Sequence, residues 1–224
     1  MKIIRIIFLV MAVFFLNSCI GASADISIRA DGSGRIALEY RISKMLESLG
    51  RQDGNEHRPI IPAGREDFER GVARIPGLTL RSFSSKEVRS TSGFGGANGG
   101  SDIVTKAVLE FRDTAALLSF LDITGSHASL VQGNEPHSAQ MLRLVMLEPS
   151  ARALNADMVS LLEEACAGYE LKISLSVPKT ASLTVTPPSV SAARVVSSGK
   201  KVSFAVEIGE LLALSDGLAL EIVW

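Results

Sequence analysis

The chain has 224 residues, with 23 Lys and Arg against 24 Asp and Glu, a formal net charge of −1. A weak, mixed charge offers no cationic stripe to follow phosphates, which argues against a nucleic-acid partner. Nine Phe, two Tyr and one Trp, with three of the Phe inside the first 18 residues, leave few aromatic platforms for sugars or bases; the plentiful Leu, Ile and Val suit an aliphatic core or cavity.

The N-terminus opens with Lys2 and Arg5, continues through eleven uncharged apolar residues from Ile6 to Leu16, and reaches Leu16-Asn17-Ser18-Cys19. A positive end, a short apolar run and a small residue before the cut describe a secretory signal peptide. A Cys directly after Leu-x-Ser resembles the bacterial lipobox, whose thiol receives a diacylglycerol before the signal is cleaved. A plain signal peptide and an uncleaved anchor are the alternatives. The reading assigns 1–18 to a lipoprotein signal peptide, 19–24 to the lipidated Cys19 and a tether, and 25–224 to a single domain. Removing 18 of the 224 residues leaves 206, enough for one domain of generous size. Removal of Lys2 and Arg5 leaves 21 basic against 24 acidic residues. After the signal no apolar run of about 20 residues occurs, so no further bilayer span is expected. The expected location is a cell membrane or outer membrane, on the exported side, with the membrane as partner through the lipid on Cys19.

Beyond the tether, Ile26, Ile28 and Ala30 share one face. Asp31-Gly32-Ser33-Gly34 signals a turn, and Ile36, Leu38, Tyr40 and Ile42 alternate with polar residues. This is a hairpin with one wet and one dry face. Met45, Leu46 and Leu49 then follow Ile42 at helical spacing, and 51–64 reads as a loop. Phe68, Val72 and Ile75 form the stripe of a short helix ended by Pro76-Gly77. Residues 78–88 and 103–111 predict a second hairpin, with a glycine-rich run, 93–100, between its arms. Asp113 is placed as the cap of a helix carrying Leu117, Leu118 and Leu121. A third hairpin is predicted over 127–147, its apolar second arm lying centrally. Asn155 starts a helix with Met158, Leu162, Cys166 and Tyr169 in line. The C-terminal part alternates clearly through Leu171 to Val177, Val202 to Ile208 and Leu218 to Trp224, with a short helical turn at Leu211–Leu214.

These patterns predict an α+β fold: a mostly antiparallel, curled β-sheet of about ten strands packed against about four helices. A lipobox Cys followed by a strand, then Asp-Gly-Ser-Gly and a second strand, resembles the LppM-like domain of exported bacterial lipoproteins, of the kind found in spirochaetes. So do the late strand closing on Val177-Pro178, the Gly199-led strand through Phe204, and Trp224. The resemblance covers both ends of the mature chain and the middle only by element order. It implies an envelope domain handling lipids. Some members carry a C-terminal membrane helix; this sequence shows none before Trp224, so anchoring rests on lipid. No catalytic residues come with the family.

No chemistry-bearing motif contradicts a non-enzyme. Gly125-Ser126-His127 puts a Ser beside a His, but strand neighbours point to opposite faces. Cys166 lies on an apolar helical stripe and reads as a buried structural thiol, with an intramolecular disulfide excluded once Cys19 is lipidated. His57, His127 and His137, with Glu135, read as loop residues rather than a zinc site. The doublets Glu66-Asp67 and Glu163-Glu164 read as solvated helix faces. Gly93-Phe94-Gly95 lacks the third glycine of a phosphate loop and reads as a mobile flap or hairpin tip. No metal, cofactor or catalytic residue is expected. The leading function is binding of a lipid or other apolar ligand, with Phe94 touching it, in a pocket near the Ala24 end of the sheet or under the flap. The alternative is an envelope scaffold or protein-interaction lipoprotein with a filled core.

Overall fold

A computed structural model describes residues 20–43, 64–89, 101–122, 127–132, 139–148, 160, 166, 168–186, 193–214 and 216–224. Strand β1 (Ile20–Ile28) turns through Gly32 into β2 (Gly34–Ser43). Helix α1 (Arg65–Val72) leads to β3 (Leu78–Arg89), and β4 (Ser101–Phe111) precedes α2 (Thr114–Leu121). There follow β5 (Ala128–Gln132), β6 (Gln140–Leu147), β7 (Glu170–Ser176), β8 (Ser182–Thr186) and β9 (Arg194–Ser198). Strand β10 (Lys201–Glu207), helix α3 (Ile208–Ala213) and β11 (Leu218–Val223) end the order.

The strands form two sheets, one of seven in the order β3-β4-β2-β1-β7-β10-β9 and one of four in the order β5-β6-β11-β8. The expected single sheet backed by about four helices is therefore overturned. Three short helices occur among the described residues, and the dry faces of the two sheets pack on each other. The cause lies in the pattern itself: a strand with one apolar face shows the same alternation whether a helix or a second sheet covers it. Pairing is antiparallel except between β1 and β7, which run parallel.

The register builds a row of buried aliphatic side chains across the large sheet. Leu109 lies opposite Ile36, Ile36 opposite Ile26, Ile26 opposite Leu175, and Leu175 opposite Val202. Leu142, Leu144, Leu220 and Ile222 of the small sheet join them in one buried cluster with Phe204 and Trp224. Farther along the same face of β2, two and four residues beyond Leu38, Tyr40 and Ile42 are covered by α1 instead. Phe68 stacks on Tyr40 at 6.2 Å between ring centroids and meets Phe83 at 5.4 Å. The stripe of Phe68 and Val72 read from spacing is buried as expected. So is the cap on α2, where Asp113 accepts a hydrogen bond of 2.9 Å from the Ala116 N–H.

The opposite face of the large sheet is a lattice of ion pairs, Glu39–Lys106, Glu110–Arg81, Asp25–Lys201 and Glu170–Arg194. Each partner is at least a third exposed, so each pair contributes about 0–1 kcal/mol. Among the described residues three large apolar side chains stand exposed, Val131, Val195 and Val196. All three belong to edge strands, β5 and β9.

Gly34 marks the closest approach in the first hairpin. A Cβ there would lie 2.0 Å from the Ser27 carbonyl oxygen and 2.3 Å from the Phe111 ring. Relief requires moving backbone of β1, so Gly34→Ala is expected to destabilise by at least about 1–3 kcal/mol. Chemical denaturation of the variant checks this; an unchanged midpoint would show that the hairpin yields without cost.

Candidate functional site

The Asp31-Gly32-Ser33-Gly34 turn is locally determined. Gly32 takes φ +79°, a region open to glycine at little steric cost. Its N–H donates to the Arg29 carbonyl at 3.0 Å, and the Arg29 N–H donates to the Ser33 carbonyl at 2.7 Å. One carboxylate oxygen of Asp31 accepts from both the Ser33 hydroxyl (2.7 Å) and the Ser33 N–H (3.0 Å). The hydroxyl bond first, then the N–H bond, holds the Asp31 carboxyl below its ordinary pKa.

This turn forms one wall of a cavity of about 380 Å³, within the size range of small-molecule sites, roughly 300–1,000 Å³. Ile28 and Trp224 are its large apolar lining residues. Thr114 at the start of α2, Gln140 at the start of β6 and Lys179 after β7 complete the lining. The backbones of Gln140 and Trp224 bond each other, N–H to carbonyl in both directions, at 2.9 and 3.0 Å. Lys179 sits on a fastened loop: the Val177 N–H donates to Lys200 and the Ala181 N–H to Gly199, each at 2.9 Å. The lining thus carries Arg29 and Lys179 against the single carboxylate of Asp31.

A second polar cluster lies at the other end of the large sheet. Asp102, 1% exposed, receives Arg41 Nε on one oxygen and the Tyr169 hydroxyl at 3.2 Å on the other. The Arg41 guanidinium also lies 5.9 Å from the centre of the Tyr169 ring. Tyr169 in turn abuts Gly21, where a Cβ would stand 3.4 Å from the ring. The cluster ties the beginnings of β1, β4 and β7 to the end of β2. Every group in it is already partnered, which suits a structural clamp.

Of the residues singled out in the sequence, Cys19, Phe94, His57, His137, Glu135, Ser126, Glu163 and Glu164 lie outside the described residues. Glu66 is exposed on α1, as read. The His127 N–H donates to the Asp122 side chain at 3.0 Å, and no group of three His, Cys, Asp or Glu placed to hold a metal occurs among the described residues. Nor is any described helix long and apolar enough to cross a membrane. The supposed tether 20–24 is the first half of β1, with Ile20 paired to Ile42 and Ala24 to Leu38. The described cavity lies not near Ala24 but past Ile28, and polar groups make up much of its lining.

Cys166 is buried, at 2% exposed, but it is disulfide-bonded and not a thiol. The cavity and the Asp102 cluster were both missed from sequence. Arg41 and Asp102 are 61 residues apart, and alternation reveals no cross-strand partner.

No family model matches the chain, and no curated protein sequence matches it. Among solved structures, the chain is similar to a putative protease from Parabacteroides distasonis ATCC 8503, at 10% identity and a TM-score of 0.40. The match covers 93% of this chain and 40% of that one. The chain thus spans less than half of that protein's length, and the likeness is too slight to transfer its activity.

Proposed function

We propose that this chain is an exported lipoprotein, anchored to a cell membrane or outer membrane through Cys19, whose β domain works by non-covalent recognition as an envelope interaction or scaffold module. The anchor rests on Leu16-Asn17-Ser18-Cys19 behind the apolar run. Because β1 begins at Ile20, an anchored chain carries the Ile20 end of its sheet directly against the bilayer. Recognition is favoured over storage of an acyl chain by how the apolar surface is used. Buried aliphatic side chains of both sheets pack into one cluster, while among the described residues the exposed large apolar groups, Val131, Val195 and Val196, lie on the outermost strands β5 and β9. Unpaired edges bearing apolar side chains are surfaces on which a partner strand adds; their placement is the observation that carries this reading over the lipid-binding one.

Native mass spectrometry of protein extracted from its own membrane separates the two. The expected spectrum shows the covalently lipidated chain without a stoichiometric non-covalent lipid. One retained phospholipid per chain would restore the apolar-ligand reading and remove the scaffold one.

A further inference from the structure

The cavity beside the first turn is not explained by anchoring or by edge pairing. Its two cations are not neutralised in the same way. Arg29 donates through Nη1 to the Ser33 hydroxyl at 3.2 Å, a neutral partner, and Lys179 makes no ion pair among the described residues. Asp31 directs one oxygen to Ser33, so its charge is partly spent within the turn. Among the lining side chains, Arg29 and Lys179 are cationic and Asp31 is anionic. Thr114 adds a hydroxyl. Gln140 adds a side-chain amide, its backbone being taken up by Trp224. A concave, mostly polar wall of this size gathers two cations and two neutral polar side chains beside a tryptophan, and charge-assisted donors select an anion.

Position decides where that anion comes from. Ile28 is eight residues along β1 from Ile20, about 26 Å at roughly 3.3 Å per residue. In an anchored chain with no tether, the cavity opens on the aqueous side, well away from the headgroups. We propose that the cavity bounded by Arg29, Thr114, Gln140, Lys179 and Trp224 is a binding site for a small soluble oxyanion, a carboxylate or phosphate compound, with Lys179 and Arg29 as its charged contacts. The site is independent of the anchor: a Cys19→Ala chain should bind equally well, so failure of binding and failure of anchoring are read separately.

Trp224 is the chain's single tryptophan and lines the cavity, so its emission reports occupancy. The full lipidated chain in phosphatidylcholine vesicles is titrated with citrate and with inorganic phosphate at fixed ionic strength. Sorbitol and spermidine serve as neutral and cationic controls. A further arm replaces part of the phosphatidylcholine with phosphatidylglycerol and omits soluble anion. The expected result is a saturable change with citrate, phosphate or both, none with the controls, and none from the anionic lipid. Lys179→Ala and Arg29→Ala should each weaken binding by about tenfold, with thermal melting unchanged because both side chains are exposed. Absence of a saturable response to either anion overturns the site. So does an unaltered titration in Lys179→Ala, or a response to phosphatidylglycerol in place of the soluble anions.

Discussion

Arg41→Ala is expected to lower the free energy of unfolding by about 3–5 kcal/mol, the loss typical of removing one partner from a buried ion pair. The asymmetry of the pair sets the size of this loss. Asp102 is 1% exposed, whereas the Arg41 side chain is 29% exposed. Removing the arginine strands a carboxylate that water cannot reach, with the Tyr169 hydroxyl, at 3.2 Å, as its remaining described donor. The reverse truncation is milder, because a partly exposed guanidinium can turn to solvent. Replacing both members together, Arg41→Met with Asp102→Leu, should recover part of the loss: an apolar pair of similar size carries no desolvation cost, while the buried Tyr169 hydroxyl gives up its Asp102 acceptor. Urea denaturation of the two single variants and the double variant gives the coupling directly. A loss below about 1 kcal/mol in Arg41→Ala would place the pair among the surface ion pairs and would remove the clamp from the account of how β1, β2, β4 and β7 are held at that end.

The same pair shows where sequence reasoning stopped. Ile36, Leu38, Tyr40 and Ile42 declare their strand because a period of two is a local property, and the Gly32 turn and the Asp113 cap declare themselves through short-range hydrogen bonds. Which sheet covers which face is not local. Ile26 meets Leu175 through a parallel pairing, and nothing in either strand's own pattern names the other. Strand β8 escaped because Ser182-Leu183-Thr184-Val185-Thr186 is short and bounded by prolines, so it reads as linker, although it pairs with β11 along its length. Asp102 stands just after a glycine-rich run and outside the predicted strand 103–111, and nothing local names its partner Arg41 on β2. The cavity draws on five separate stretches of chain, and only the Asp31–Ser33 turn among them carries a sequence signal. The polar character of the site follows from that assembly, not from any motif.

Cys19→Ala is expected to abolish stable membrane attachment, leaving the chain uncleaved or released. A single acyl chain binds a bilayer only marginally, but the two or three of a bacterial lipoprotein hold it firmly, so the change in the membrane-bound fraction should be close to complete. The Cys166 disulfide sharpens the test. A sulfur in a thioether to diacylglycerol cannot also form a disulfide, and the sequence holds one cysteine besides Cys19, so in a lipidated chain Cys166 has no cysteine of its own chain to bond. In the anchored protein Cys166 is therefore a buried thiol: protected from a polar alkylating reagent while folded, and labelled once on unfolding without reductant. Chain that escapes lipidation and is oxidised should take up no label until reduced. Fatty-acid labelling, followed by thiol counting in the labelled and unlabelled fractions, measures both states. In the lipidated fraction Cys166→Ser should cost about 1–3 kcal/mol, because a hydroxyl buried without a partner replaces a weakly polar thiol. If native chain taken from the envelope carries no fatty acid and shows the disulfide throughout, the anchor is wrong. The Cys166 bond is then permanent, in a secreted protein free of the membrane.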